Sequence, residues 1–119
     1  MHPYEKFEAW KSAHGLALAI YQRTKNWPAE ERYGLTSQIR RAAFSVPANI
    51  VEGRARLGRK EFRQFLDIAW GSLAEVGYTL RFTRDLGILD LKDYEELERL
   101  RSEVGRPLFG LLRSMGSSE

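Results

Sequence analysis

The sequence contains no cysteine. Disulfide scaffolds, thiolate zinc sites, iron–sulfur clusters and cysteine nucleophiles are therefore excluded together. Histidine is scarce as well, with only His2 and His14, and the Glu-x-x-His pattern of a carboxylate-bridged metal bundle does not occur. No apolar run approaches the roughly 18 residues that a membrane-crossing helix needs. The N-terminal Met1-His2-Pro3-Tyr4-Glu5-Lys6 lacks the basic and apolar regions of a secretory signal. These absences lead to the expectation of a cytoplasmic protein with no cofactor, metal or membrane. No window alternates apolar and polar residues as a half-buried strand does. What is present is 43% hydrophobic and 29% charged residues, the balance of a folded chain. A single domain over residues 1–119 follows.

Charge is unevenly distributed. The formal net charge is +3, yet residues 31–60 alone carry seven Lys/Arg against two Asp/Glu. Residues 61–119 carry eight against eleven. Arginine dominates the basic stretch: Arg32, Arg40, Arg41, Arg54, Arg56 and Arg59, with Lys60 as the single lysine. The flat, bidentate guanidinium suits phosphate oxygens and stacking. A solvated helix face, or pairing with neighbouring glutamates, is the alternative use of the same residues.

Helical spacing organises the chain into four segments. The first runs from about Tyr4 to Asn26, with Trp10, Ala13, Ala17, Ile20, Tyr21 and Thr24 along one side. Asn26-Trp27-Pro28 stops it, and Pro28 opens a short turn. Thr36 is the expected N-cap of the second helix, which carries Ile39, Ala42, Ala43, Val46, Ile50 and Val51 and ends at Gly53 or Gly58. Its apolar pattern resumes in phase after Pro47, which predicts one kinked helix. The third helix, about Arg59 to Leu86, bears a heptad seam of Phe62, Leu66, Ala69, Leu73, Val76 and Leu80. A second line of Phe65, Ile68, Ser72, Thr79, Phe82 and Leu86, interrupted by Glu75, exceeds what one seam requires. It predicts either a central helix or an oligomer interface. Gly71 and Gly77, costly inside a helix, point to close helix contacts.

Asp90 is the expected N-cap of a fourth helix with Leu97, Leu100, Val104, Leu108, Leu111 and Met115 on its core stripe. Pro107 should kink this helix or begin a separate segment. Gly116-Ser117-Ser118-Glu119 reads as a frayed tail. Short links between four helices predict an all-α, antiparallel up-down-up-down four-helix bundle.

Catalytic chemistry finds little support. His14 reads as an ordinary histidine at a helix boundary, and Ser37, Ser45 and Ser72 lack an evident base partner. Gly53-Arg54-Ala55-Arg56-Leu57-Gly58-Arg59-Lys60 lacks the terminal Gly-Lys-Ser/Thr of a phosphate loop. Glu52 and Glu75 read as anchors for Arg40 or Arg41 in a charged network. A non-enzyme is expected.

One stretch is distinctive: Tyr33-Gly34-Leu35-Thr36-Ser37-Gln38-Ile39-Arg40-Arg41-Ala42, continued by Ser45-Val46-Pro47-Ala48-Asn49-Ile50-Val51-Glu52-Gly53. It resembles the four-helix-bundle proteins encoded in intervening sequences of bacterial 23S ribosomal RNA genes, a family similar to the accessory protein of diversity-generating retroelements. Phe65-Leu66-Asp67-Ile68-Ala69 and Gly71-Ser72-Leu73-Ala74-Glu75 resemble that family's third-helix signature. Gly77, Tyr78 and Pro107 depart from its pattern. The resemblance implies a homopentameric ring with an axial channel, and its genomic setting implies binding to RNA or DNA. The family also bears a ribosomal-protein label, although a net +3 is low for a ribosomal subunit.

Two functions from different classes follow as expectations. The first is an oligomer that binds nucleic-acid phosphates through Arg40, Arg41, Arg54, Arg56, Arg59, Lys60 and Arg63, with little sequence readout. The second is a protein-interaction scaffold or accessory subunit for another partner. Salt dependence separates them, because phosphate binding weakens steeply as salt rises.

Overall fold

The apolar spacings resolve into four α-helices in the computed structural model, which describes residues 2–116: α1 (Glu8–Arg23), α2 (Leu35–Arg54), α3 (Arg59–Asp85) and α4 (Leu91–Ser114). No strand forms among the described residues. At about 1.5 Å rise per residue, α3 spans roughly 40 Å, close to the molecule's 43 Å long dimension. Each helix packs on two neighbours, α1 and α3 each lying against α2 and α4, while the diagonal pairs stay apart.

Contacting residues run in opposite order along α2–α3 and α3–α4, and the end of α1 meets the starts of α2 and α4. Gly53 meets Phe62 and Phe65 while Ser45 meets Ser72. Arg63 reaches Leu112, Trp70 touches Phe109, and Gly77 faces Arg101. Arg40 reaches Tyr21 and Thr24, and Arg23 pairs with Asp93 and Glu96. The bundle is therefore antiparallel, up-down-up-down, as the short links require.

The α3 seam expected from the heptad is buried throughout, from Phe62 to Leu80. Opposite it lie Leu16 and Ile20 of α1, Ile39, Val46 and Ile50 of α2, and Leu97, Val104 and Leu108 of α4, all fully buried. On α1 the buried face is rotated from the expected one. Ala9 and Leu16 enter the core, which leaves Trp10 half-buried and Tyr21 exposed. On α4, Leu112 is buried and the expected Leu111 is half-buried.

Several boundaries differ from the sequence reading for local reasons. Residues Pro3–Lys6 form a separate 3-10 turn, because Phe7 is extended and lays its ring 5.9 Å from that of Phe62. The first helix thus begins at Glu8, not Tyr4. Thr36 does not cap α2. Gly34 holds that position, the Glu31 carboxylate accepts the Leu35 N–H at 3.1 Å, and Thr36 is buried inside the helix. Asp90 caps α4 as expected, accepting the Asp93 N–H at 2.8 Å. Pro47 and Pro107 both lie inside continuous helices, so no separate last segment forms. Each proline denies one carbonyl its intrahelical donor without ending the helix. Of the expected tail, Gly116 follows the α4 cap with φ of 82°, a conformation that suits glycine. Residues 117–119 lie outside the described residues.

Arg23 ties α1 to α4, with Nε 3.2 Å from Asp93 Oδ1 and Nη2 2.5 Å from Glu96 Oε2. The hydrogen bond from Arg23 holds the Glu96 carboxyl below its ordinary range. Hydrogen bonding from Arg84, with help from Arg81, does the same for Asp85. A carboxylate whose folded pKa is depressed stabilises the fold above its unfolded pKa, and that contribution is lost as pH falls through the folded value. Thermal stability should therefore be insensitive to pH near neutrality and decline on acidification below the usual 4.5 of a glutamate. Calorimetry on wild type and Glu96→Gln checks this. The variant should start less stable at neutral pH and lose less on acidification; identical acid slopes would contradict the assignment.

Candidate nucleic-acid interface

The basic stretch is divided by the fold. Arg41 and Arg54 lie near opposite ends of α2, about 20 Å apart at the helical rise. The seven candidate cations therefore form two clusters, not one continuous patch.

The first cluster surrounds the α2–α3 connection. Arg54 ends α2, residues 55–58 turn the chain, and Arg59 and Lys60 open α3. Arg59 donates to the Ser114 carbonyl, and Arg63 donates to the carbonyls of Leu112, at 3.1 Å, and Gly116. The last carbonyls of a helix have no intrahelical donor and carry its negative dipole end. Arg59 and Arg63 thus serve α4, with Arg63 also 3.7 Å from Asp67. Arg56 spreads its guanidinium 4.7 Å from the Phe65 ring centre. Arg54, Arg56 and Lys60 are exposed and make no ion pair among the described residues.

The second cluster lies where the end of α1 meets the start of α2. Arg40 donates from Nε to Thr24 Oγ1 at 2.8 Å and from Nη2 to the Tyr21 carbonyl at 3.2 Å. Its guanidinium also lies 4.7 Å from the Tyr21 ring centre. The expected anchors Glu52 and Glu75 are both exposed and pair with no arginine among the described residues. Thr24 replaces them, because its hydroxyl donates to the Ile20 carbonyl and keeps a lone pair for Arg40. Arg41, one residue on, is exposed. Arg40 is thus a structural anchor, while Arg41 makes no ion pair among the described residues.

The second apolar line of α3 is also divided. Ile68 and Phe82 are exposed, at 52% and 41%. Phe65 is half-buried beneath Arg56, and Ser72 shares a 2.8 Å hydrogen bond with Ser45, which Asn49 joins at 2.9 Å. Thr79 is only 3% exposed, and its hydroxyl donates to the Glu75 carbonyl. It faces the bundle's own interior, not outward with Ile68 and Phe82 as its spacing predicts. A larger apolar exposure was not anticipated. Trp10, Leu18, Tyr21, Phe44, Pro47 and Val51 line an open groove of about 640 Å³ between α1 and α2. Leu18 and Phe44, large apolar residues off the core stripes, were its available signal.

Close approach occurs at Gly77 but not at Gly71. A side chain at Gly77 would meet Arg101 Nε at 2.8 Å, whereas Gly71 faces open space. Gly77 makes room for an arginine that Glu98 holds at 2.5 and 2.8 Å. His14 sits in the middle of α1, not at a boundary, and stacks on Trp10 with ring centres 4.8 Å apart. Among the described residues, no group of three or more His, Cys, Asp or Glu is placed to hold a metal ion. No helix of the described residues is long and apolar enough to cross a membrane.

These features define a class: a small antiparallel helical bundle whose distinctive surface chemistry is arginine and exposed aromatic rings. Residues 5–110 match the family model described as 23S rRNA-intervening sequence protein, and the chain belongs to that family. Its fold is similar to the crystal structure of a protein with unknown function from the S23 ribosomal protein family of Bacteroides thetaiotaomicron, with a TM-score of 0.78. The two share 22% identity over 88% of this chain and 98% of the other. No curated protein matches the chain.

Proposed function

We propose that this protein is a non-enzymatic homo-oligomer that binds RNA or DNA phosphates with little sequence readout. The observation that carries the reading is the cluster of Arg54, Arg56 and Lys60, exposed at one end of the bundle without carboxylate partners among the described residues. Helix ends at this position are complemented by cations in any case, but Arg59 and Arg63 already perform that task for α4. The remaining three are available to an external anion. Exposed Ile68 and Phe82, together with the α1–α2 groove, supply apolar surface for self-association, and the family resemblance implies five subunits. A ring would repeat each cationic cluster and turn weak single contacts into avidity.

Two measurements test the reading. Sedimentation at micromolar concentration should find a mass several times 13.8 kDa; a monomer would remove the oligomer from the proposal. Affinity for mixed-sequence RNA and duplex DNA should fall steeply with salt. Arg54→Gln, Arg56→Gln and Lys60→Gln together should weaken binding and flatten the slope of log affinity against log salt by about 2–3, at roughly 0.7–0.9 per contact. The core is untouched, so helical content should not change. Absence of any affinity at low salt would overturn the nucleic-acid reading. The α1–α2 groove favours a protein scaffold as the second reading, whose binding would be insensitive to salt.

A further inference from the structure

We infer that the concavity between the end of α1 and the start of α2 stacks unpaired bases, so that the protein prefers single-stranded nucleic acid to duplex. This rests on the nucleic-acid reading and deepens it by naming the strand class and a second site.

Three aromatic rings and three arginines share the wall of one concavity of about 440 Å³: Tyr21, Tyr33 and Phe44 with Arg32, Arg40 and Arg41. Tyr33 is 90% exposed and Phe44 62% exposed. Neither ring contributes to the core, since Ile39, Ala43, Val46 and Ile50 fill the buried face of α2 without them. None of the lining residues is acidic. The nearby Glu31 carboxylate is engaged with the Leu35 N–H at the start of α2. Arg40 is held in place by Thr24 and Tyr21, whereas Arg32 and Arg41 are exposed.

Rings accompanied only by cations complement a ligand that combines flat π-faces with negative charge. Unpaired nucleotides have that combination, because each base offers a face for stacking and each phosphate a charge. In a duplex the faces are hidden within the helical stack, so only the phosphates are offered. An apolar protein segment would use the rings but would give Arg32 and Arg41 nothing to neutralise. The basic loop at the far end of α2 has exposed cations but holds its one nearby ring, Phe65, beneath Arg56, just as Arg40 covers Tyr21 here; the concavity differs in offering two further rings, Tyr33 and Phe44, with exposed faces. That loop suits either strand form, whereas this concavity discriminates between them.

The test compares binding of the full chain to labelled oligo-dT and oligo-rU of about 15 nucleotides with binding to a blunt duplex of the same length. Single strands should bind roughly tenfold or more tightly than duplex. Phe44→Ala and Tyr33→Ala should each weaken single-strand binding by roughly tenfold, with duplex affinity and the salt slope unchanged. Tyr33→Phe keeps the ring and should retain wild-type affinity. Equal affinity for the two strand forms, or alanine variants with no effect, would overturn the inference while leaving duplex binding by the loop intact. Loss of binding together with a fall in sedimented mass would also overturn it, by assigning the rings to a subunit contact. If no oligonucleotide binds at low salt, both the inference and the nucleic-acid reading fail.

Discussion

Leu66→Ala should lower the free energy of unfolding by about 2–5 kcal/mol, whereas Ile68→Ala should change it by less than about 1 kcal/mol. The two residues are separated by one position on α3, yet Leu66 is fully buried and Ile68 is 52% exposed. Removing the Leu66 branch forfeits its transfer from water and leaves a cavity between α3 and its neighbours, which the close-packed seam fills incompletely. At Ile68 water simply replaces the lost methyl groups. A domain of this size has about 5–15 kcal/mol of total stability, so the first change is severe. Denaturant melts with unchanged m-values would measure both. They should be run across protein concentration, because any contribution of Ile68 to assembly grows with concentration while that of Leu66 is present in each subunit. Equal losses at the two positions would contradict the orientation of α3.

Gly53→Val should cost about 1–3 kcal/mol or more. A side chain at Gly53 would begin 2.8 Å from Phe62 Cδ1 and 2.9 Å from Phe65 Cβ. The Phe62 ring can shift, but Phe65 Cβ is held directly to the α3 backbone. Relief therefore requires α2 and α3 to separate at their most extensive contact. The basic loop should respond too, because Phe65 supports Arg56. Gly71→Ala is the matched control. Its Cβ would enter open space on an exposed part of α3, so the gain in helix propensity should stabilise the fold by roughly 0.5–1 kcal/mol. Thermal melts of the two variants should move in opposite directions; a shared rise would show that helix propensity outweighs packing at Gly53, and a shared fall would contradict the open space at Gly71.

Local chemistry made much of this protein legible without coordinates. The spacing of Phe62, Leu66, Ala69, Leu73, Val76 and Leu80 demanded a buried helical seam, because only a 3.5-residue period keeps such residues on one side. Asp90 announced a helix start through its short acceptor side chain, and the observed Asp93 N–H bond is the local contact that such a cap makes. Residues 33–53 carried enough specific identity to indicate the family. Where two local candidates competed, local rules were insufficient. Thr36 is the better cap by type, yet the Glu31 carboxylate takes the Leu35 N–H, since Gly34 lacks the Cβ that would meet Glu31 Oε1 at 2.7 Å.

What required the assembled bundle was every relation between residues distant in the chain. Arg40 finds Thr24 and Tyr21, not Glu52 or Glu75, because the register of α2 on α1 sets which carbonyls and hydroxyls lie within reach. Arg59 and Arg63 serve the end of α4, more than forty residues away in the chain, because antiparallel packing brings one helix's start beside the other's end. Thr79 turns inward although its spacing matched an outer line, because it lies three residues after Val76 and four before Thr83, both fully buried on the same side of α3. Amino-acid sequence alone determined the helices, their apolar faces and the local stretch of positive charge. Tertiary structure alone divided that charge into cations that hold the bundle together and cations left free, since a guanidinium's role depends on which acceptors the fold places around it.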